Sequence, residues 1–327
     1  MEYKDRTISI SEIDTTDDTC CVSLHTDPAP LVASIQAVGL INPPVLSQKA
    51  NLTYRILCGF RRVRACRSLG WQEMKVRVLL GGLSEVDLLK LAILDNRSHR
   101  PLNIIEQARG IQKLSANIPS GNRLEVLASL LGFPPNKKVF GKLGKLSRLP
   151  EIIQAGVLDE TISFEAAADL CESSPEDALS FFDLFARLKL SQNKQREIIT
   201  FVQEIAIRED LRLTEVLQSK DVRRILGRPD LNRNEKGSML RAHLKRRRLP
   251  TLAQAEEGFQ KELKALKLNE RLHMTPPPCF EGCQYTLRMT FKSMKDFDNC
   301  RRTLDAMAKN PALKRLLGDN KIISELK

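Results

Sequence analysis

A glycine followed by two arginines is the part of the sequence that most clearly suggests chemistry. Gly59, Arg61 and Arg62 lie where a stretch with apolar residues at alternate positions, Tyr54 and Ile56, changes to a helical pattern. The first N–H groups of a helix have no acceptor within it and carry a partial positive charge. Glycine lets an anion approach the backbone, and arginine adds paired donors suited to phosphate oxygens. These residues predict a phosphate-binding turn, although a strand–helix junction with a solvated basic face has the same pattern.

A second chemically suggestive group lies on a helix predicted further along the chain. Gly132 and Pro134-Pro135 end the helix Leu124–Leu131, and Asn136 is a suitable N-cap for the next helix. The four-residue spacing of Ala128 and Gly132 suits the tight crossing of a helix-turn-helix. An ordinary helical hairpin with lysines on its solvated face fits the spacing equally well. The helix-turn-helix interpretation predicts these DNA contacts: Asn136, Lys137, Lys138, Lys142 and Lys145.

The composition narrows the class of protein. The 327 residues are enough for two to three domains, and 42% hydrophobic residues are ordinary for a soluble protein. The formal net charge is +12 and the pI is about 9.4, which favours an anionic partner, most commonly nucleic acid. Besides the lysines above, a second basic cluster consists of Arg241, Lys245, Arg246, Arg247 and Arg248.

The cysteine spacing predicts that the protein has no zinc site, and the hydropathy predicts a cytoplasmic location. None of the eight cysteines forms a CxxC pair and the four histidines are scattered, so no zinc site is assigned. Cys66 and Cys171 are interpreted as small core residues. No apolar run is long enough to span a bilayer, and the first residues lack a signal-peptide core. We therefore expect no membrane partner.

The elements needed to position these groups form an α+β protein. The first part alternates strands and helices, and Asn103 with Glu106 predicts a capping box, so Glu106 is interpreted as a cap rather than a catalytic acid. Helices follow from Gly121 onward, and Arg228–Pro250 reads as a linker or an exposed helix. A strand through Tyr285 then precedes a last helix. The predicted domains are 1–115, 116–226, a basic linker 227–252, and a C-terminal helix–strand–helix 253–327 with a possible role in dimerisation.

Three segments in order resemble the amino-terminal domain of the ParB family of partition proteins. The family pattern is a helix with SI, then GLxxPxxV, then GxRRxxA, then an acidic-Asn box leading into LNPxE. The matching segments here are Ser34-Ile35 with Gly39–Val45, Gly59–Ala65, and Asp95–Glu106. The resemblance continues more loosely through the predicted helix-turn-helix and a C-terminal strand–helix. It implies a small mixed ParB/sulfiredoxin-like domain, a helical DNA-binding domain and a small C-terminal α/β segment.

The resemblance implies a function as well as a fold. In ParB-like proteins this domain binds CTP with Mg²⁺, and DNA-bound dimers close their amino-terminal domains around the duplex. A CTP-gated sliding clamp acting in chromosome or plasmid partition is therefore expected, as a nucleoid-associated homodimer on double-stranded DNA. The nucleotide contacts that the resemblance implies are Gly39 and Leu40 near the cytosine and ribose, Gly59, Phe60, Arg61 and Arg62 at the triphosphate, and Asn96 beside the phosphates with Asp95 as the metal ligand.

The sequence also departs from the family pattern. The third box begins with Asp95 where the family usually has glutamate, and the family's Gln-Arg is replaced by Ser98-His99, with Arg97 and Arg100 nearby. These departures leave CTP hydrolysis open. A basic tail that would stimulate a ParA-type ATPase is not evident before Thr7. A ParA-type partner is thus an expectation from the family alone.

Two other functions remain open on the sequence. One is a DNA-binding transcriptional regulator without nucleotide gating, with specificity from the helix after Asn136. The other is a small-molecule phosphotransferase on the same amino-terminal fold. The long helical region argues against the phosphotransferase, because an enzyme acting on a small molecule does not need it.

Overall fold

The computed structural model describes residues 1–24 and 29–318, and the chain divides into two units, Met1–Ile199 and Thr200–Lys327. It is an α+β structure, which confirms the fold class predicted from the sequence. The finer domain boundaries inferred from the sequence stay predictions. None of the described helices is both long and apolar enough to cross a bilayer.

A five-stranded mixed sheet organises the first unit. The strands are β1 (Glu2–Ser9), β2 (Ile13–Asp14), β3 (Val45–Gln48), β4 (Tyr54–Cys58) and β5 (Glu73–Leu80). Their order across the sheet is β1-β5-β3-β4-β2. β1 pairs antiparallel with β5, β3 pairs antiparallel with β4, and the β3–β5 and β2–β4 pairs are parallel. β4 therefore lies between β3 and β2, and its carboxyl end leads directly into Gly59.

Helices cover both faces of the sheet. They are α1 (Ala29–Val38) and α2 (Phe60–Ser68) on one face and α3 (Glu85–His99) on the other, while α4 (Ile104–Leu114) packs against two of the helices that follow. Successive strand residues point to opposite faces. Accordingly Ile56 packs in one core with residues of α1 and α2, whereas Leu57 packs in another with Leu88 and Ala92 of α3.

The remainder of the first unit is helical. Its helices are α5 (Arg123–Leu131), α6 (Lys137–Leu146), α7 (Glu151–Leu158), α8 (Phe164–Leu170) and α9 (Pro175–Leu188), and α10 (Gln192–Glu209) crosses the boundary between the units. Gly132 ends α5 in the left-handed region with a φ of 77°, and the Asn136 side chain caps α6, as the sequence predicts. α5 approaches α4 closely, because a side chain at Gly110 would overlap Leu131.

The second unit contains helices and a small sheet. Its elements are α11 (Leu213–Leu217), α12 (Lys220–Gly227), α13 (Arg233–Arg248), α14 (Pro250–Ala265), β6 (Leu272–Thr275), β7 (Thr286–Met289), α15 (Met294–Lys309) and α16 (Pro311–Gly318). β6 and β7 pair antiparallel. The stretch 228–250 contains a helix that buries Leu240 and Leu244, so it is more than an exposed linker. The sequence predicted neither β6 nor α16.

Candidate functional site

Gly59 adopts a backbone conformation that a side chain would strain. Its φ is 95°, in the left-handed region, where it precedes the first residue of α2. A Cβ atom there would lie 2.9 Å from the Cβ of Pro44 and 3.0 Å from Nε of Arg62. The turn after β4 therefore requires glycine for both its dihedral angle and its contacts.

The start of α2 presents backbone donors. The first helical hydrogen bonds run from the N–H groups of Arg62 and Val63 to the Gly59 carbonyl, and no side chain caps the helix. In the part of the chain that the structure describes, the N–H groups of Phe60 and Arg61 have no acceptor. The Arg61 side chain is exposed beside them. An anion here would meet two amide donors, the positive end of the helix dipole and one guanidinium group.

The Arg62 side chain contacts the loop after α1. Its Nη1 donates to the carbonyl oxygens of Asn42 at 2.7 Å and Pro43 at 3.1 Å. The guanidinium thus ties α2 to the loop that follows α1. This intramolecular use of the donors is invisible in a sequence motif, because the loop is about twenty residues away.

The loop after α1 contains Gly39–Val45, which belongs to the first of the three matching segments (the first box). Gly39 has a φ of 76°, and its N–H donates to the Ile35 carbonyl at 2.8 Å, which ends α1. Leu40 is half-buried and packs against the sheet core, as does Phe60. At Leu40 and Phe60 the backbone rather than the side chain is thus available to a ligand.

The third box meets the second at the carboxyl end of β4. The Asp95 carboxylate lies close to the buried thiol of Cys58, the residue before Gly59. Burial, and then the charge and hydrogen bond of Asp95, raise the pKa of the Cys58 thiol. Nε2 of His99 lies 4.0 Å from Oδ1 of Asp95, and Nδ2 of Asn96 donates to the Ala92 carbonyl at 2.8 Å. The Asn96 amide oxygen remains available.

All three boxes therefore converge on one turn. Arg62 and Pro44 bring the loop after α1 to Gly59, and Cys58 brings Asp95 to the same place. The arrangement can hold a phosphate group on amide donors and Arg61, with one carboxylate beside it.

A protein-family model matches a stretch of the chain that contains the first two of these segments and the start of the third. Residues 6–97 match the model of the ParB N-terminal domain. This part of the chain is therefore similar to the ParB N-terminal domain. The nucleoid occlusion protein of Bacillus thuringiensis (strain Al Hakam) is 31% identical over 179 residues, which are 54% of this chain and 59% of that protein. The nucleoid occlusion protein of Bacillus mycoides (strain KBAB4) is 33% identical over 149 residues, 45% of this chain and 49% of that protein. The chain thus spans roughly half of the length of the curated relatives it matches.

Two solved structures are similar at a lower level. The C-terminally truncated ParB from Caulobacter crescentus complexed to the centromeric parS site has a TM-score of 0.34 and 18% identity, covering 58% of this chain and 96% of that one. The same protein complexed with CTP-gamma-S has a TM-score of 0.26 and 19% identity, covering 56% and 98%. Scores at this level do not establish which residues correspond.

The predicted DNA-contacting residues lie in three different environments. Lys142 and Lys145 form ion pairs with Glu165 and Glu172, so each has a carboxylate partner within the first unit. Lys137 and Lys138 are exposed in the first turn of α6 and have no carboxylate partner among the described residues. Oδ1 of Asn136 is occupied as the cap of α6, accepting from Lys138 N at 2.8 Å.

Two arginines within the third segment, Asp95–Glu106, make contacts that the sequence did not predict. Arg97 donates to the carbonyl oxygens of Ser129 and Leu130 at the end of α5. Arg100 forms a two-pronged ion pair with Glu106, with both N–O distances 2.7 Å. Glu106 is buried and also completes the capping box with Asn103, which confirms its interpretation as a cap.

The basic cluster of α13 is paired within the second unit. Lys245, Arg246 and Arg247 lie 3.3, 3.1 and 2.5 Å from carboxylate oxygens of Glu256, Glu257 and Glu209, respectively. Arg248 pairs with Glu204 and lies over the Phe201 ring. Of the basic groups noted in the sequence, the first turn of α6 is therefore a better anion-binding surface than the end of α13.

Cysteine and histidine side chains form no evident metal centre in the part of the chain described. Within residues 1–24 and 29–318 no group of three or more His, Cys, Asp or Glu side chains is placed to hold a metal ion. Cys66 is fully buried, whereas Cys171 is half-buried. His25 lies outside the described residues.

Proposed function

We propose that this chain is a partition-type protein that binds double-stranded DNA and that CTP with Mg²⁺ controls this binding. The observation that carries the proposal is the convergence of the three boxes on Gly59, with unpaired amide donors and Arg61 at the start of α2. The match of residues 6–97 to the ParB N-terminal domain supports CTP as the nucleotide. The relatives named nucleoid occlusion proteins support a DNA partner and a nucleoid location.

Each residue of the site has a distinct proposed task. The N–H groups of Phe60 and Arg61 and the Arg61 side chain bind phosphate oxygens, while Gly59 allows their close approach. Arg62 holds the loop containing Gly39 and Leu40 in place for the base and ribose. Asn96 contributes its amide oxygen.

Asp95 fits a metal site of the kind that Mg²⁺ uses with nucleotides. Mg²⁺ is usually held by one or two carboxylates together with phosphate oxygens and water, and it neutralises phosphate charge when bound. Asp95 is half-buried beside the turn and would be the protein ligand. Binding rather than hydrolysis is proposed, because His99 and Ser98 stand where the family pattern has Gln-Arg.

Titration calorimetry with CTP, ATP and GTP tests the nucleotide site. Arg61→Gln is expected to weaken CTP binding by roughly tenfold, as for the loss of one charge-assisted hydrogen bond. Arg67→Gln is the matched control, since Arg67 lies in the last turn of the same helix. Equal weak binding of all three nucleotides by the unaltered protein would contradict the proposal.

The DNA-binding surface is proposed to include the first turn of α6. Replacing Lys137 and Lys138 together by glutamine should weaken DNA binding and reduce the slope of log K against log salt by up to about two. The matched control replaces Lys261 and Lys264 of α14, which are exposed in the second unit. An unchanged salt slope in the Lys137/Lys138 variant would refute this assignment.

A DNA-binding regulator without nucleotide gating is the second candidate. The hydrogen bonds from Arg62 to the Asn42 and Pro43 carbonyls favour this candidate, because one of the two guanidinium groups expected to bind phosphate already has protein acceptors. The candidates differ in one measurement. Saturating CTP changes DNA affinity or dimer closure, monitored by crosslinking, only in the gated protein.

A further inference from the structure

The last turn of α3 lies between the nucleotide box and the predicted DNA-binding helices. Asp95 and Asn96 are on this helix, which packs against β4 on one side and α5 on another. Arg97 follows them directly and extends away from the turn at Gly59 to the end of α5. One helical turn thus carries both a nucleotide-site residue and a contact to α5.

Arg97 binds the end of α5 where that helix has free acceptors. Nη1 donates to the Ser129 carbonyl and, at 3.2 Å, to the Leu130 carbonyl. The last carbonyl groups of a helix lack intrahelical donors and carry a partial negative charge, so a guanidinium group is a favourable partner. Arg97 therefore acts as a C-terminal cap supplied by a different helix.

Gly132 makes room for this contact. It has a φ of 77°, and a Cβ atom there would lie 3.2 Å from Nε of Arg97 and 3.4 Å from its Cζ. The guanidinium group thus lies against the turn that joins α5 to α6. A displacement of α3 along its axis would therefore move the Arg97 guanidinium group relative to this turn.

The contact is not needed to hold α5 in the fold. Leu127, Ala128 and Leu131 are buried, and Leu131 packs against Gly110 of α4. Arg97, in contrast, is exposed. Its removal should release a tie between two helices while leaving the core of the first unit intact.

We propose that Arg97 is a positioning residue that couples nucleotide binding at Gly59 and Asp95 to DNA binding through the α5–α6 turn. The inference rests on the proposed function. A ligand that shifts Asp95 and Asn96 also shifts Arg97 on the same helical turn, and Arg97 transmits the shift to the end of α5. Coupling between binding sites is reciprocal, so DNA changes nucleotide affinity by the same factor.

The test measures CTP affinity of the full chain with and without saturating DNA. Arg97→Gln removes the tie, and Arg97→Lys retains a charge that can reach a carbonyl. Arg123→Gln is the matched control. Arg123 is the first residue of α5, at the opposite end of the helix from Arg97, and its Nε donates at 2.9 Å to the Ile118 carbonyl rather than to α3. In the unaltered protein the two affinities should differ by about fivefold or more.

We expect Arg97→Gln to bring this ratio close to one while each ligand still binds, Arg97→Lys to restore part of it, and Arg123→Gln to leave it unchanged. A ratio in Arg97→Gln equal to that of the unaltered protein would overturn the role of Arg97 alone. Independent CTP and DNA binding in the unaltered protein would overturn both this role and the gating in the proposed function. A ratio lost equally in Arg97→Gln and Arg123→Gln would also overturn the role, since it would show a general effect of loosening α5.

Discussion

Arg61 and Arg62 are neighbours in sequence, but their side chains have different partners. Arg61 is exposed beside two free amide donors, whereas Arg62 donates to two carbonyl groups of the loop after α1. The motif alone treats the two arginines as equivalent. The structure divides them into one residue available to a ligand and one that holds the site together.

This division predicts opposite effects on stability and binding. Arg62→Gln should lower the free energy of unfolding by about 1–2 kcal/mol, because two carbonyl acceptors lose a charged donor. Arg61→Gln should change it by less than about 0.5 kcal/mol, as for an exposed surface substitution. Urea denaturation of both variants provides the measurement. Equal destabilisation would show that Arg61 also has a structural partner.

Asp17 is a buried carboxylate that makes the first unit sensitive to acid. Its side chain is 7% exposed and lies 2.6 Å from Nε of Arg55 and 3.1 Å from Nζ of Lys49. Burial acts to raise its pKa, but hydrogen bonds from Thr19, Arg55 and Lys49 outweigh burial and bring the pKa to about 2. Since the pKa is depressed on folding, the ionised carboxylate stabilises the folded state above its ordinary pKa of 3.8, and this contribution is lost as the pH falls toward 2.

Asp17→Asn should therefore destabilise the protein in a pH-dependent way. Near neutral pH the free energy of unfolding should fall by about 1–2 kcal/mol relative to the unaltered protein. The difference should shrink once the pH drops below the ordinary pKa of aspartate. Urea denaturation across this range gives the result, and Asp18→Asn is the control because the Asp18 side chain is 76% exposed. A constant difference at all pH values would mean that shape rather than charge is responsible.

At the scale of the elements, two glycines differ in why they are needed. Gly59 is needed for its positive φ and for close packing, whereas Gly39 is needed for its positive φ alone. Both have positive φ values, 95° and 76°, but a Cβ atom at Gly39 would meet nothing within 4 Å. Gly39→Ala should therefore cost about 1–2 kcal/mol of stability, from the dihedral angle alone. Gly59→Ala should cost more and also weaken CTP binding, because Pro44 and Arg62 must move. Thermal unfolding and calorimetry would distinguish the two, and equal costs would argue against the close packing at Gly59.

The elements that the sequence predicts correctly are those set by local rules. The caps at Asn103 and Asn136 accept hydrogen bonds from the helix N–H groups as their residue types suggest. Alternation in β4 places Tyr54 and Ile56 in the same core. These features depend on neighbours within a few residues, so the sequence contains the necessary information.

The elements and contacts that the sequence misses depend on distant partners. β6 has only four residues, and its strand conformation depends on pairing with β7. The burial of Leu240 and Leu244 in α13 is hidden among five nearby cations. Arg62 and Arg97 both bind backbone carbonyls, which every residue has, so no side-chain pattern could identify the acceptors.

At the scale of the whole molecule, the net charge of +12 is not distributed as the clusters suggest. The cations at the end of α13 have glutamate partners from α10 and α14, whereas Lys137 and Lys138 have none among the described residues. Replacing Lys245 and Arg246 by glutamine should thus leave the salt dependence of DNA binding unchanged, measured by fluorescence anisotropy at several salt concentrations. A reduced slope would show that the cluster contacts DNA despite its ion pairs.

The second unit exposes apolar side chains that a second copy of the chain could cover. Leu287 on β7 is 41% exposed, Phe291 after it is 52% exposed, and Met294 at the start of α15 is 73% exposed. Within the described residues β6 and β7 pair only with each other, so the outer edge of each has no neighbouring strand. We propose a homodimer through this region.

The double variant Phe291→Ser with Leu287→Ser should shift sedimentation toward the monomer, whereas Leu52→Ser, at an exposed position in the first unit, should not.

Six of the eight thiols, Cys300 among them, are buried or half-buried, and two are exposed. Burial raises the pKa of Cys20 and of Cys171 to about 11, and Cys21, Cys58 and Cys66 are also buried. Cys279 and Cys283, in contrast, are exposed in the segment between β6 and β7. Alkylating dyes should thus attach at this segment first in the native chain, since its two thiols are exposed whereas the other described thiols are buried or half-buried. A fluorophore placed there without any engineering would report the association of subunits while leaving the turn at Gly59 untouched.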